Sequence, residues 1–332
     1  MVQNPFRYGS PIIEPGYFTG RRTEARTVLS RLGNMESSSI LGERRIGKTS
    51  FLKYISHANT IRKFGHDSDE YLFAFVDFQG FNDDDTPASF WRVVLDAVAA
   101  HAREDVRQKI VAKIGAQPSL GTRELGDLFD DIGRQGQGVV LLLDEFEQVT
   151  RNTNFDLDFF NGLRYLATMH NLALITSSRR ELVELCHSGE VAGSPFFNIF
   201  ANVDLGLFTA DEANELLDKA LADVPVSFDR LERGYLQRMT GRHPFFLQMA
   251  AHLLFEHHVR RTAAEKCLSL THQELETQAA PHFLDYWHRS DDDEQITLMA
   301  LALLGIVQHK ARFDVEELRS IASRSDRVLH LL

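Results

Sequence analysis

Eight residues, Gly42-Glu43-Arg44-Arg45-Ile46-Gly47-Lys48-Thr49, carry the spacing G-x-x-x-x-G-K-T. Two glycines at that separation let a backbone curl round a phosphate chain with its N–H groups turned inward. Lys48 would reach the β- and γ-phosphates and the Thr49 hydroxyl would hold Mg²⁺. A helix starting there would point its positive end at the anion. Arg45, Ile46 and Ser50 belong to the same phosphate-facing turn, and a nucleoside triphosphate is the ligand this chemistry implies.

A second constellation supplies acids. The apolar run Val139-Val140-Leu141-Leu142-Leu143 ends in Asp144-Glu145. Placed beside the strand that feeds the loop, it would carry its acids to the phosphate site, at the carboxyl ends of the strands. Asp144 would complete the Mg²⁺ shell, usually through water, and Glu145 would orient the attacking water or accept its proton. The ordinary alternative is an acidic pair at a turn. Thr176-Ser177-Ser178-Arg179 closes a further strand, where Arg179, ahead of Arg180, could bind the γ-phosphate through bidentate hydrogen bonds. The alternative there is a solvated arginine pair.

The elements that must position these groups are legible in outline. Ser38 to Leu41 form a short strand before the loop, and Ser50 to Ile55 open an apolar-periodic helix after it. Tyr71 to Phe78 and Leu172 to Thr176 read as further buried strands. Helices are expected over 87–100 and 156–169. Strands apolar on both faces, alternating with helices, make a parallel sheet between two helical layers. Beyond about Leu207 the pattern is helical. Thr209 to Glu212 and Thr271 to Glu274 read as capping boxes opening helices. The expected division is a segment 1–36, an α/β core 37–208, a helical lid 209–288 and a final piece 289–332. That piece carries helices from Asp291 and from Asp314. It begins as a winged-helix domain would and stops in mid-domain, as expected of a part of a longer protein.

Composition is that of an ordinary globular chain: 332 residues, 43% hydrophobic and 25% charged. A net charge of −11 disfavours non-specific nucleic-acid binding by the whole surface. No apolar run approaches the roughly 18 residues of a membrane span, and Met1 to Arg7 lack a signal-peptide pattern. Two cysteines, Cys186 and Cys267, make no disulfide framework and suit a reducing cytoplasm. The clusters Asp83 to Asp85 and Asp291 to Glu294 read as turns or helix starts. The 24 phenylalanines read as core rather than base-stacking platforms, since basic residues do not interleave with them.

Taken in order, these motifs resemble the STAND-type ATPases of the AAA+ P-loop superfamily. Phe18-Thr19-Gly20-Arg21 with Glu24 resembles their N-terminal motif, and Thr240-Gly241-Arg242-His243-Pro244 their Gly-x-Pro lid motif, here with two residues between Gly and Pro. The resemblance spans about residues 5–290. It implies a three-layer αβα core with a five-stranded parallel sheet, followed by a helical lid and a partial winged helix. Phe18, Gly20 and Arg21 would lie with the nucleotide base. Gly42, Gly47, Lys48, Thr49 and Ser50 would cradle the phosphates. Arg179 would be the sensor of the γ-phosphate, and His243 with Pro244 would bring the lid to the nucleotide. The implied activity is slow ATP hydrolysis with Mg²⁺. ADP/ATP exchange would open the lid, promote self-association and drive fused or separate effector domains in signalling or defence. The alternative is an AAA+ ATPase acting on DNA, of the origin-binding or transposition-helper kind.

Overall fold

The computed structural model describes residues 2–116 and 120–308, without the side chains of 116, 289 and 301–308. The apolar runs become the centre of one parallel sheet. Its strands are β1 (Ser38–Leu41), β2 (Tyr71–Asp77), β3 (Gly138–Asp144), β4 (Leu172–Ser178) and β5 (Ala201–Asp204), in the order β2-β3-β4-β1-β5. Every neighbouring pair is parallel. β3 and β4 are buried at every position because helices cover both faces, so neither shows the alternation of a half-exposed strand.

Side-chain alternation sorts the two faces. Val139, Leu141 and Leu143 of β3 join Leu72, Ala74 and Val76 of β2 under the helices Pro87–His101, Thr122–Gly133 and Leu157–Met169. Val140 and Leu142 face the other way, with Ile40, Ile175 and Val203, under the helices Arg22–Leu32 and Lys48–Ile55. The phenylalanines are mostly core. Phe90 is fully buried, stacks on Phe78 at 5.2 Å, and meets Phe146, Phe155 and Phe159 edge-on.

Two expectations are corrected. The acid-bearing β3 does not lie beside the loop-bearing β1, since β4 is interposed between them. The Thr271 box opens no helix, because the helix Ala264–Arg289 is already under way there. Its preceding residues, Ala264 to Leu270, are mostly good helix formers, so the local capping signal is overridden. The box at Thr209 does cap the helix Ala210–Leu221.

The described residues divide into two compact units, 1–268 and 269–308. In the first, the helices Ala210–Leu221, Arg230–Thr240 and Pro244–Val259 follow the sheet. The N-terminus straps this helical layer: Asn4 Nδ2 donates to His252 O at 3.0 Å and Glu256 Oε1 at 2.8 Å, and Phe6 stacks on Phe228 at 5.8 Å. In the second unit Asp291 and Glu294 exchange capping hydrogen bonds ahead of the helix Asp292–Gln308. Asp83 to Asp85 form a turn with Asn82. The winged-helix expectation from Asp314 onward lies outside the described residues. No described helix is long and apolar enough to cross a membrane.

Phe90→Ala removes a ring packed against Phe78, Trp91, Phe146, Phe155 and Phe159 and should cost about 3–5 kcal/mol. Urea unfolding would show it as a lower midpoint at unchanged slope.

Candidate functional site

The G-x-x-x-x-G-K-T loop joins β1 to the helix Lys48–Ile55. Gly47 has φ 104° and no heavy atom within 4 Å of where a Cβ would sit, so the loop arches over open space in a conformation that suits glycine. Arg45 is also left-handed, at φ 63°. Lys48 is buried to 6% exposure and folds back, donating to Gly42 O at 2.9 Å and Glu43 O at 3.3 Å. The open cradle, the ammonium and the free first-turn N–H groups of the helix form an anion site that fits a phosphate chain.

Asp144 ends β3 with 1% exposure. Its Oδ2 accepts from the Thr49 hydroxyl at 2.6 Å and its Oδ1 from the Ser177 hydroxyl. Ser177 Oγ also accepts the Glu145 N–H at 3.2 Å. One carboxylate thus joins the loop helix, β3 and β4. Thr49 and Asp144 are already paired where they could share a divalent cation. Glu145, half-buried, sits at φ 54°, a strained conformation for a side chain of its size. Arg179 follows β4 directly and is half-buried. The β4 residue that touches Asp144 is Ser177.

The N-terminal motif closes the site from the other side. Ser50 Oγ accepts from Ile12 N at 3.0 Å. Phe18 stacks on Tyr54 at 4.2 Å, and its carbonyl accepts from Lys219 Nζ at 2.8 Å. Gly20 sits at φ 70°, a left-handed conformation that suits glycine, and a Cβ there would lie 2.6 Å from Glu212 Oε1 and displace that side chain. Arg21 N donates to the same oxygen at 2.7 Å. Arg21 is 3% exposed; its guanidinium donates to Gly206 O, pairs with Glu24 at 3.6 Å and covers the Phe208 ring at 5.0 Å. Burial holds its pKa down against Glu24 and Glu212. A cavity of about 230 Å³ opens beside Phe18, Gly20, Tyr54, Thr60, Glu215 and Lys219.

The lid motif reaches the loop directly. Pro244 takes the first position of the helix Pro244–Val259, with His243 as its N-cap. Arg45 lies over the Phe245 ring at 4.4 Å, tying the phosphate loop to the lid's first turn. Hydrogen bonds therefore unite Lys48, Thr49 and Asp144 with the loop. On the helix that follows the loop, Tyr54 packs on Phe18 and Ser50 binds Ile12 N; Gly20 and Arg21 meet Glu212, and Arg45 of the loop reaches Phe245, next to His243 and Pro244.

Two participants escaped the sequence reading. Glu147 is 5% exposed and its Oε2 has no hydrogen-bond partner among the described residues. Burial pushes its carboxyl up, the Glu145 charge adds to this, and Lys48 opposes. Its position two residues after Glu145 was the available signal. Glu212 looked like a helix cap only. It caps Thr209 N with Oε2 at 2.9 Å while Oε1 holds Arg21 N.

The fold is shared with solved structures at low identity. A Walker-type ATPase of Pyrococcus abyssi superposes with TM-score 0.61 at 16% identity, over 86% of this chain and 80% of that one. The Aeropyrum pernix ORC2 protein in its ADPNP–ADP complexes gives TM-score 0.57 at 13% identity, over 82% and 72%. Sheet order, loop and acid strand give this chain the fold of a P-loop NTPase. The model of the family described as Novel STAND NTPase 2 matches residues 26–297, and the chain belongs to that family. No curated protein matches it.

Ser177→Ala would leave the buried Asp144 with one hydroxyl fewer and Glu145 N without its acceptor. A loss of about 1–3 kcal/mol in chemical denaturation is expected; unchanged stability would show that the bridge carries no load.

Proposed function

We propose that this chain is a nucleotide-operated switch that binds ATP and ADP with Mg²⁺ and hydrolyses ATP slowly. The observation that carries this is the contact of the phosphate loop with the lid, Arg45 on Phe245. A ligand filling the loop must act on that contact, and a ligand shifts an equilibrium only through contacts that differ between its states. Strain is placed accordingly. Arg21, Arg45, Glu145 and Arg242 are four of the six non-glycine residues with positive φ among the described residues; Met35 and Arg261 lie elsewhere. Those four stand in the N-terminal motif, the loop, the acid turn and the lid motif respectively, and each is of order 1–3 kcal/mol above relaxed geometry.

In this reading Lys48 leaves the Gly42 and Glu43 carbonyls for the β- and γ-phosphates. Thr49 and Asp144 hold Mg²⁺, which when bound neutralises charge on the phosphate oxygens. Glu145 orients the attacking water and takes its proton, and Arg179 contacts the γ-phosphate. Phe18, Gly20 and Arg21 sit by the base, with Ile46 and Ser50 completing the turn. Release of the lid in the ATP state would expose surface for self-association and for effector or sensor domains, in the cytoplasm.

Lys48→Ala should abolish nucleotide binding, read by fluorescence titration with labelled ADP; retained micromolar affinity would sink the site assignment. Glu145→Gln should keep ATP bound while turnover drops about 10²–10⁴-fold. The nucleotide released on denaturing the purified protein should be ADP. Turnover accelerated strongly by DNA would instead favour the DNA-acting reading.

A further inference from the structure

The turn after β3 holds a third carboxyl besides Asp144 and Glu145. Glu147 opens the helix Glu147–Arg151 and is 5% exposed. Among the described residues its carboxyl meets only its own main-chain N–H, and Oε2 has no hydrogen bond of sound geometry. Arg151, one turn further on, is exposed and acts on it from a distance. Buried polar atoms are normally satisfied, so this oxygen points to a donor that comes with a ligand.

The turn that carries Glu147 is fixed to the site. Glu145 N donates to Ser177 Oγ at 3.2 Å and Phe146 N to Ser177 O at 2.9 Å. Both amides ahead of Glu147 are thus held by the residue whose hydroxyl binds Asp144. Gln148 N closes the turn on Glu145 O at 3.0 Å. Glu147 feels the charges of Glu145 and, with opposite sign, of Lys48, so it shares surroundings with the acid turn and the phosphate loop. The segments packed against its helix, 78–80 and 182–185, bring one further titratable group, the exposed Glu184. Burial, and then Glu145, push the carboxyl up, as befits an acceptor short of donors.

A water that attacks the γ-phosphorus must aim a lone pair at it, so both its O–H bonds must be directed elsewhere. Glu145 accepts one of them. The other needs a second acceptor, and Glu147 Oε2 is an acceptor without a donor. We propose that Glu147 is a second catalytic carboxylate of ATP hydrolysis, accepting one hydrogen bond from the attacking water through Oε2 while Glu145 accepts the other. The proposal rests on the hydrolytic reading above. In the step the water oxygen bonds to the γ-phosphorus, and the bond from that phosphorus to the bridging oxygen breaks, its electron pair leaving with ADP. The water proton facing Glu145 passes to Glu145, and the other stays on the phosphate product. Glu147 makes and breaks no covalent bond; it fixes the rotation of the water.

The test uses Glu147→Met in the full chain, which removes the oxygen at nearly constant volume. An unpartnered buried carboxyl does not support the fold, so the Tm without nucleotide should stay or rise. The single-turnover rate of ATP hydrolysis should fall about 10²-fold. The Kd for ATP with Mg²⁺ should stay within about twofold, as expected where an interaction acts on the chemical step alone. In a Glu145→Gln background the same change should cost far less, because the two acids hold one water. Unchanged turnover in Glu147→Met overturns the proposal. A slower turnover matched by a lower Tm and weaker binding also overturns it, since that marks a packing role. If Glu147→Met does not fold, Glu147→Gln decides on the same measurements: slowed turnover at intact Tm and affinity supports the proposal, and unchanged turnover overturns it. A wild-type chain that hydrolyses no ATP removes the hydrolytic reading itself, whereas an active wild type with an equally fast Glu147→Met removes only the part given to Glu147.

Discussion

The buried carboxylate of Asp144 is the constraint on which the site depends. At 1% exposure it must be satisfied by fixed partners, because an uncompensated buried charge costs several kcal/mol. Its partners come from two separate pieces of chain, Thr49 on the helix after the loop and Ser177 on β4. Those two hydrogen bonds set the height of the loop helix over the sheet. β4, paired along its length with β1 and β3, lies in the middle, where Ser177 serves both Asp144 and the Glu145 amide. The strand order and the chemistry of the site are thus one arrangement: the acid reaches the loop helix across β4, helped by a hydroxyl on that strand.

Round this centre a second set of contacts joins the loop, the N-terminal motif and the helices after the sheet. Lys48 rests on carbonyls of its own loop, and Arg45 rests on a lid ring. Arg21 links the N-terminal motif to Gly206 and, through its amide, to Glu212 at the start of the lid. These groups are cationic or strained, and they meet where the lid's first helical turn faces the loop. A rigid core joined to a lid through replaceable contacts is the mechanical requirement of a two-state element.

Much of this was legible because the signals were local. The loop is written in eight consecutive residues, β3 and β4 are uninterrupted apolar runs, and Thr209 with Glu212 spells a capping box. What depended on long-range pairing was not. β5, Ala201–Asp204, buries only Val203 and carries no hydrophobic pattern; it exists because its backbone pairs with β1. The interposition of β4 cannot be deduced from strand content. The Thr271 box looked like a start but lay inside a helix whose earlier residues already favoured continuation. Glu147 offered only its nearness to Glu145 as a signal, and Glu212 offered only its place in a capping box. The burial of one and the second hydrogen bond of the other come from elements distant in sequence.

The central claim, that nucleotide state moves the lid against the core, is tested most directly by a distance measurement between them. Leu231 on the helix Arg230–Thr240 is 77% exposed and Tyr165 on the helix Leu157–Met169 is 48% exposed, so both tolerate a spin label. Double electron–electron resonance on the doubly labelled chain should give one distance distribution with ADP and a shifted one when Glu145→Gln holds ATP. Identical distributions with ADP, with ATP and without nucleotide would contradict the account.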